Sequence, residues 1–541
     1  MTTLGVVAAP HHLAADIGAG LLQRGGNAFD AAVGVALAIG VTQPYHSGIG
    51  GGCNITYLTA GGEAGHINAR GPAPAKLTRE QLLDRDGSPN YTLAQFGGLA
   101  ITVPSFVAGL AALHRGRGRL AWSEVCLAPQ QLAAEGFLAD FMLARAYTQS
   151  ATAAKVARHG RDTPFAEPIL EGQRIVQPRM AETLAAIARD SGAIYQGEIG
   201  RHLVAATRGA GGVLDLEDLT SYRPKDTPLY EIRYRGWRVL APGLPTVGSL
   251  QTLLALQILS RFEPETIVPG SARHLQLITA AVRATYDIRA GLEHPEAATE
   301  MTDDALAEHL ATRVRRGWSP SSGDSEVSTD ESCTSHFCIA DGDGNVISQT
   351  QTVRAHFGSG VIDPETGVVL NDSVGDFSLQ PGEITTQGIR YQGAYNLVAP
   401  GAEPASSQSP LIALDPETGD IIAAGAAGGP RIVSATVQVI MNQIDFGMNA
   451  QLAAAFPRVH SHGPVTDVEP PLRKAGSVQE PGYQPGTPRS LGIAQTIRRR
   501  SGIWEAGVDP RGPGGSVVVL RIGDRTVLRG YGHHDREVGE L

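Results

Sequence analysis

Cysteine is scarce in this 541-residue chain: Cys53, Cys126, Cys333 and Cys338 are the only four, and none stands in a Cys-x-x-Cys pair. That spacing gives neither a disulfide framework nor a zinc site, and small buried thiols are expected instead. Positive charge is also in short supply. Lys and Arg number 44 against 54 Asp and Glu, a formal net charge of −10, which opposes broad attraction to phosphate backbones or anionic lipid. No nucleic acid and no membrane partner is therefore expected. No uncharged apolar run approaches the ~18 residues that span a bilayer, and the opening MTTLGVVAAPHHLAAD has no basic stretch followed by an apolar one. A cytoplasmic protein is expected.

Glycine and proline, by contrast, are plentiful at 66 and 34 residues, with 42% hydrophobic and 18% charged residues overall. This is a turn-rich, mixed globular composition, and the length calls for two or more lobes or one large layered domain. Leu13, Ile17 and Leu21 recur at helical spacing, and Gly25-Gly26 follows where a C-cap would sit. Asn27 can cap a second, largely buried helix over AFDAAVGVALAIGVTQ, which Pro44 ends. SGIGGGCNITYL then reads as a glycine loop entering a strand; no Lys-Ser/Thr follows, so it is not a phosphate cradle. From about Ala94 to Ala311 the pattern is helix-rich. Between Ser319 and Ser332, SPSSGDSEVSTDES cannot bury itself and reads as a mobile linker. Directly after it, TSHFCIADGDGNVISQTQTV reads as two alternating strands joined by an Asp-Gly-Asp-Gly-Asn turn.

A threonine at the start of a strand, behind such a linker, meets the needs of an N-terminal nucleophile. The Thr334 hydroxyl would add to the Cys333 carbonyl, and the resulting ester would hydrolyse. The freed α-amine, with a reference pKa of about 7.7–8.0, would then serve as local base. Taken alone, a threonine after a polar loop is an ordinary strand residue. His336, two residues on, reads as a buried strand histidine rather than a proton shuttle.

Further motifs stand in one order along nearly the whole chain: GGNAFDAAVGVALAIGVTQPYHSGIGGG, ARGPAP at Arg70, DLEDLTSYRP near Asp218, TSHFCIADGDGNVISQTQT, FGSGV, LNDSVGDFS, PASSQSP and GAAGGPRI. Together they resemble the γ-glutamyltransferase family of N-terminal nucleophile hydrolases. The resemblance implies a four-layer αββα sandwich, matured by autocleavage into a large piece (residues 1–333) and a small catalytic piece (334–541) that stay together as a heterodimer. It implies Thr334 as nucleophile, Thr352 as its hydrogen-bonding support, and the backbone N–H groups of Gly428 and Gly429 as the oxyanion hole. It also implies Arg70, Ser406 and Ser407 as ligands of a substrate carboxylate. No metal or organic cofactor is implied.

The pattern departs from the family where the substrate ammonium is read. Asp376 keeps its place, but Arg354 stands where an asparagine is usual and Ser373 replaces a longer polar residue. Two like charges about 4 Å apart repel by roughly 4 kcal/mol at an effective dielectric constant of about 20. An inward Arg354 would therefore disfavour ordinary γ-glutamyl groups and favour an acidic or keto-acid group; turned away, or neutralised by Asp376, it would leave the site partly intact. Three readings stay open. The first is an autoprocessed hydrolase or acyltransferase working through an acyl-threonine on a small acidic substrate. The second is a C–C bond hydrolase removing an oxalyl or keto-acid unit in antibiotic biosynthesis of the lincosamide or pyrrolobenzodiazepine type. The third is an uncleaved, non-catalytic ligand-binding relative. Tyr391 and Tyr395, in SLQPGEITTQGIRYQGAYNLVAPGAEPASS, are possible covers of the site.

Overall fold

Local sequence sets the first elements. Asn27 accepts hydrogen bonds from the N–H groups of Phe29 and Asp30, Asp30 answers on the Asn27 N–H, and the helix Ala28–Thr42 runs from this capping box to just short of Pro44. Every residue of that helix is buried, which its small apolar side chains allow. The helix His12–Gln23 packs beside it. The hairpin forms as Ser332–Asp341 and Val346–Ala355 around the acidic turn, where Asp341 Oδ1 collects the N–H groups of Asp343, Gly344 and Asn345.

The computed structural model describes residues 2–148, 152–153, 155–156, 162–317, 332–462, 465–474, 490–522 and 525–532. The expected linker, but for its last residue, lies outside the described residues. Among these, one sheet has eight strands in the order Arg525–Gly532, Gly515–Ile522, Thr2–Ala9, Ser332–Asp341, Val346–Ala355, Gly52–Leu58, Ala64–Ala69 and Lys225–Thr227. A second has six, in the order Ile503–Val508, Ile493–Arg500, Ile421–Ala427, Leu411–Leu414, Trp237–Pro242 and Leu229–Tyr234. The sheets pack face to face through Val6, Ala340, Val346, Ile412, Ala423 and Ile497, all wholly buried. Outside the first sheet lie the helices His12–Gln23, Ala28–Thr42 and Phe106–His114; outside the second lie Val247–Leu259, Ala272–Ala290 and Arg431–Ile444. Helix, sheet, sheet, helix is the four-layer αββα sandwich expected. No described helix is long and apolar enough to cross a membrane.

One stretch read as helix-rich needs correction. Within 94–311, residues 225–242 form three strands rather than helix. Ile232 and Tyr234 face the core while Glu231 and Arg233 face solvent, a period-two alternation that the surrounding helices masked.

Candidate active site

The two hairpin strands pair regularly from Val346 opposite Ala340 to Gln351 opposite Ser335; the next pair is Arg354 with Cys333. Thr352 and Val353 thus stand against the single residue Thr334, a β-bulge. Such a kink re-aims side chains, and Arg354 takes the strained backbone angle, φ 83°. The result is a compact hydroxyl pair. Thr334 Oγ1 lies 3.2 Å from Thr352 Oγ1, and both hydroxyls reach the Cys333 carbonyl oxygen, at 2.6 and 2.7 Å. The Arg354 N–H donates to Thr352 Oγ1 at 2.8 Å, which orients that hydroxyl. Thr334 and Thr352 are 6% and 5% exposed, so the nucleophile candidate faces interior space, not bulk water.

On one side of Thr334 lies a narrow polar cleft lined by Arg70, Thr352, Arg354, Asp376, Gln387, Ser406, Ser407 and Gly429, among others. Its charges are interlocked. Arg354 Nε donates to Asp376 Oδ1 at 2.7 Å and its Nη1 to Asp372 Oδ2 at 2.9 Å. Arg70 pairs with the other Asp376 oxygen, and Gln387 donates to Oδ1 as well. Arg70 Nε is fixed on the Pro404 carbonyl at 2.8 Å. Two guanidiniums thus face two carboxylates.

Behind Ser407 a third guanidinium, Arg289, is 1% exposed. Among the described residues it hydrogen-bonds neutral groups alone: Ser407 Oγ at 2.8 Å, Gln251 Oε1 at 3.1 Å and the Tyr391 hydroxyl at 2.7 Å. Among the described residues, the cleft and its surroundings thus set three guanidiniums against two carboxylates, held where water screens them poorly.

Gly428 and Gly429 sit at the end of the strand Ile421–Ala427, before the helix Arg431–Ile444. Both have positive φ, 125° and 58°, and a Cβ on Gly428 would stand 3.1 Å from Gly492 Cα. Only glycine suits that backbone. Gly429 borders the cleft, whereas Gly428 borders a second cavity of about 90 Å³ that Thr334 also lines, shared with His46, Arg145, Cys333, His356 and Arg431.

Of the residues singled out in the sequence, Thr334, Thr352, Arg70, Arg354, Asp376, Ser406, Ser407 and Gly429 converge on one cleft, with Gly428 adjoining. Ser373 is buried but is not among the cleft-lining residues; its N–H binds Asn371 Oδ1 at 3.0 Å. Neither Tyr391 nor Tyr395 lines the cleft. Tyr391 is wholly buried against Arg289, and the same segment reaches the cleft through Gln387. His336 is wholly buried, 2.8 Å from Thr350 Oγ1 and 3.2 Å from Cys338 Sγ, and burial pushes its pKa down to about 3. Sequence reading missed Asp372, Gln387 and Arg289. Asp372 was within sight, inside LNDSVGDFS, but Arg289 lies on the helix Ala272–Ala290 with nothing to mark it.

Known proteins resemble the chain along most of its length. The model of the gamma-glutamyltranspeptidase family matches residues 14–519. The chain is 31% identical over 469 residues to a glutathione hydrolase proenzyme of Pseudomonas sp. (strain A14), covering 84% of this chain and 81% of that protein. It is 30% identical over 470 residues to the glutathione hydrolase proenzyme of Escherichia coli (strain K12), covering 84% and 80%. The solved structure of a cephalosporin acylase from Bacillus halodurans superposes with a TM-score of 0.79 at 27% identity, covering 95% of each chain. The chain belongs to the gamma-glutamyltranspeptidase family and is an N-terminal nucleophile hydrolase.

Proposed function

We propose that the chain cuts itself between Cys333 and Thr334, and that Thr334 then transfers a small acidic acyl group to water or an amine through an acyl-threonine ester. The observation that carries this is the Thr334–Thr352 hydroxyl pair on the Cys333 carbonyl, set against a cleft lined by the guanidiniums of Arg70 and Arg354. In self-cleavage, Thr334 Oγ attacks the Cys333 carbonyl carbon and the amide nitrogen leaves as the new α-amine; water then releases the Cys333 carboxylate. In turnover the α-amine accepts the hydroxyl proton as Oγ attacks the substrate carbonyl. The backbone N–H groups of Gly428 and Gly429 receive the oxyanion, and the proton passes to the leaving amine.

Ordinary γ-glutamyl substrates fit poorly, since Asp376 is already engaged by Arg70, Arg354 and Gln387 and has little left for an ammonium. Arg289, which bonds no carboxylate among the described residues, favours an acyl chain ending in a carboxylate. Likeness to a cephalosporin acylase accords with amides other than γ-glutamyl peptides. The test is mass spectrometry of the small fragment after brief exposure to glutaryl, oxalyl and γ-glutamyl amides. A glutaryl or oxalyl adduct on Thr334, more abundant than a γ-glutamyl one, is expected; no adduct from any of them would refute the assignment.

A further inference from the structure

Beside Thr334 lies a cluster of side chains that the proposed chemistry leaves unused. His46, Cys333 and His356 are all buried, and one imidazole nitrogen or thiol sulfur from each lies within 4.8 Å of the other two. They come from three places in the chain: the loop after the helix Ala28–Thr42, the start of one hairpin strand, and the residue just past the other. Backbone contacts hold them in place. The Val353 N–H donates to the His46 carbonyl at 3.0 Å, the Phe357 N–H to the Tyr45 carbonyl at 3.1 Å, and Lys155 Nζ to the His356 carbonyl at 3.4 Å. The two imidazoles stack with centroids 5.5 Å apart. All three residues border the cavity of about 90 Å³, which gives an ion a route in and leaves room for a water as fourth ligand.

We propose that the uncleaved chain binds a thiophilic divalent cation, Zn²⁺ by its chemistry, on His46, Cys333 and His356, and that the bound ion slows the break at Cys333–Thr334. The second half of this claim rests on the self-cleavage proposed above. Two imidazoles and a thiolate with one open position suit zinc. At Zn–S ~2.3 Å and Zn–N ~2.0–2.1 Å, tetrahedral donors stand roughly 3.4–3.6 Å apart, so the three side chains need to close by about 1 Å. Binding forms one Zn–S and two Zn–N bonds and releases the thiol proton to solvent. Arg145 and Arg431, on the same cavity, repel a dication. Mg²⁺ and Ca²⁺, which rely on oxygen ligands, are therefore excluded, while an ion bonded to sulfur is retained. A tethered Cys333 resists the change at its carbonyl that cleavage needs. Once cut, Cys333 becomes a free chain end, so the three-donor site belongs to the precursor, and the ion stabilises that form by mass action.

The full-length Thr334→Ala chain keeps all three donors and cannot cut itself, so it is the protein to titrate with Co²⁺. One ion per chain is expected, with a thiolate-to-cobalt band in the near ultraviolet and tetrahedral bands in the visible, displaced by Zn²⁺ and untouched by Mg²⁺. Adding Cys333→Ser or His356→Gln, whichever keeps the metal-free Tm, should weaken binding at least tenfold. In the wild-type chain, Zn²⁺ should slow the appearance of the two fragments at least tenfold, and chelation should restore it. Absence of the charge-transfer band, or unchanged affinity in the further variants, overturns the site. Normal cobalt binding with a cleavage rate indifferent to Zn²⁺ overturns the effect on maturation. A chain that binds cobalt yet never cuts itself, with or without metal, removes the self-cleavage reading and leaves the metal site standing.

Discussion

Arg354 Nε donates to Asp376 Oδ1 at 2.7 Å. The pair settles an ambiguity left by the sequence. Arg354 borders the cleft, and it also neutralises the aspartate that an incoming ammonium would need. Replacing it by the family's residue, Arg354→Asn, removes one cation and leaves Asp376 held by Arg70 and Gln387 alone. The kcat/KM for a γ-glutamyl anilide should rise about tenfold relative to a glutaryl anilide, a change of about 1.4 kcal/mol in relative transition-state binding. Steady-state kinetics on the two substrates side by side checks this, and an unchanged ratio counts against a selective role for Arg354.

Thr334→Ala should give one full-length band on denaturing electrophoresis, where the parent should give two, with Thr334 at the new N-terminus. Thr352→Ala leaves the nucleophile but removes its partner; loss of one such hydrogen bond, about 1–2 kcal/mol, should slow maturation roughly tenfold. Thr352→Ser should largely restore it. Time courses of fragment appearance distinguish the three variants.

Arg289→Gln preserves length and polarity while removing the charge behind Ser407. For an acyl group ending in a carboxylate, KM should rise about tenfold with kcat changed by less than about threefold, the signature of lost uniform binding. Equal losses for neutral and acidic acyl groups would show that Arg289 merely packs.

Gly428→Ala puts a side chain on a backbone at φ 125° and against Gly492. The neighbouring N–H is then misaimed, and kcat should fall by roughly 10²-fold. Far-ultraviolet circular dichroism should stay unchanged.

Buried histidines set the acid limit. Burial holds His66 and His336 at about 3 and His274 at about 4, against about 6.5 in the unfolded chain. From pH 6.5 down to about 4 the unfolded chain therefore binds protons that the folded one refuses. Stability falls as pH drops through that window, by about 1.4 kcal/mol per unit for each such histidine. Chemical denaturation between pH 7 and 5 should show the decline, and His274→Gln should lessen its slope by one histidine's share.

Much of this molecule could be read from its sequence because the signals are local. Asn27 with Asp30 announces a capped helix, and the Asp-Gly-Asp-Gly-Asn turn fixes a hairpin. Ordered motifs named the family and gathered most of one cleft. What stayed hidden depends on contacts between distant segments. No residue pattern announces that Thr352 and Val353 bulge against Thr334, or that Arg289 reaches Ser407 from another helix. The same holds for His46, Cys333 and His356: cysteine spacing argued against a metal site because two of the three donors are histidines far from one another in the chain.

The position of Ser332–Asp341 within its sheet has one more consequence. It is an interior strand, flanked by Thr2–Ala9 and Val346–Ala355, while Gly515–Ile522 grips Thr2–Ala9 from the opposite edge. The other sheet is likewise shared, since Trp237–Pro242 pairs with Leu411–Leu414. A nick before Thr334 would therefore yield two polypeptides woven through each other like clasped fingers. Dilution could not part them; only melting the whole particle would.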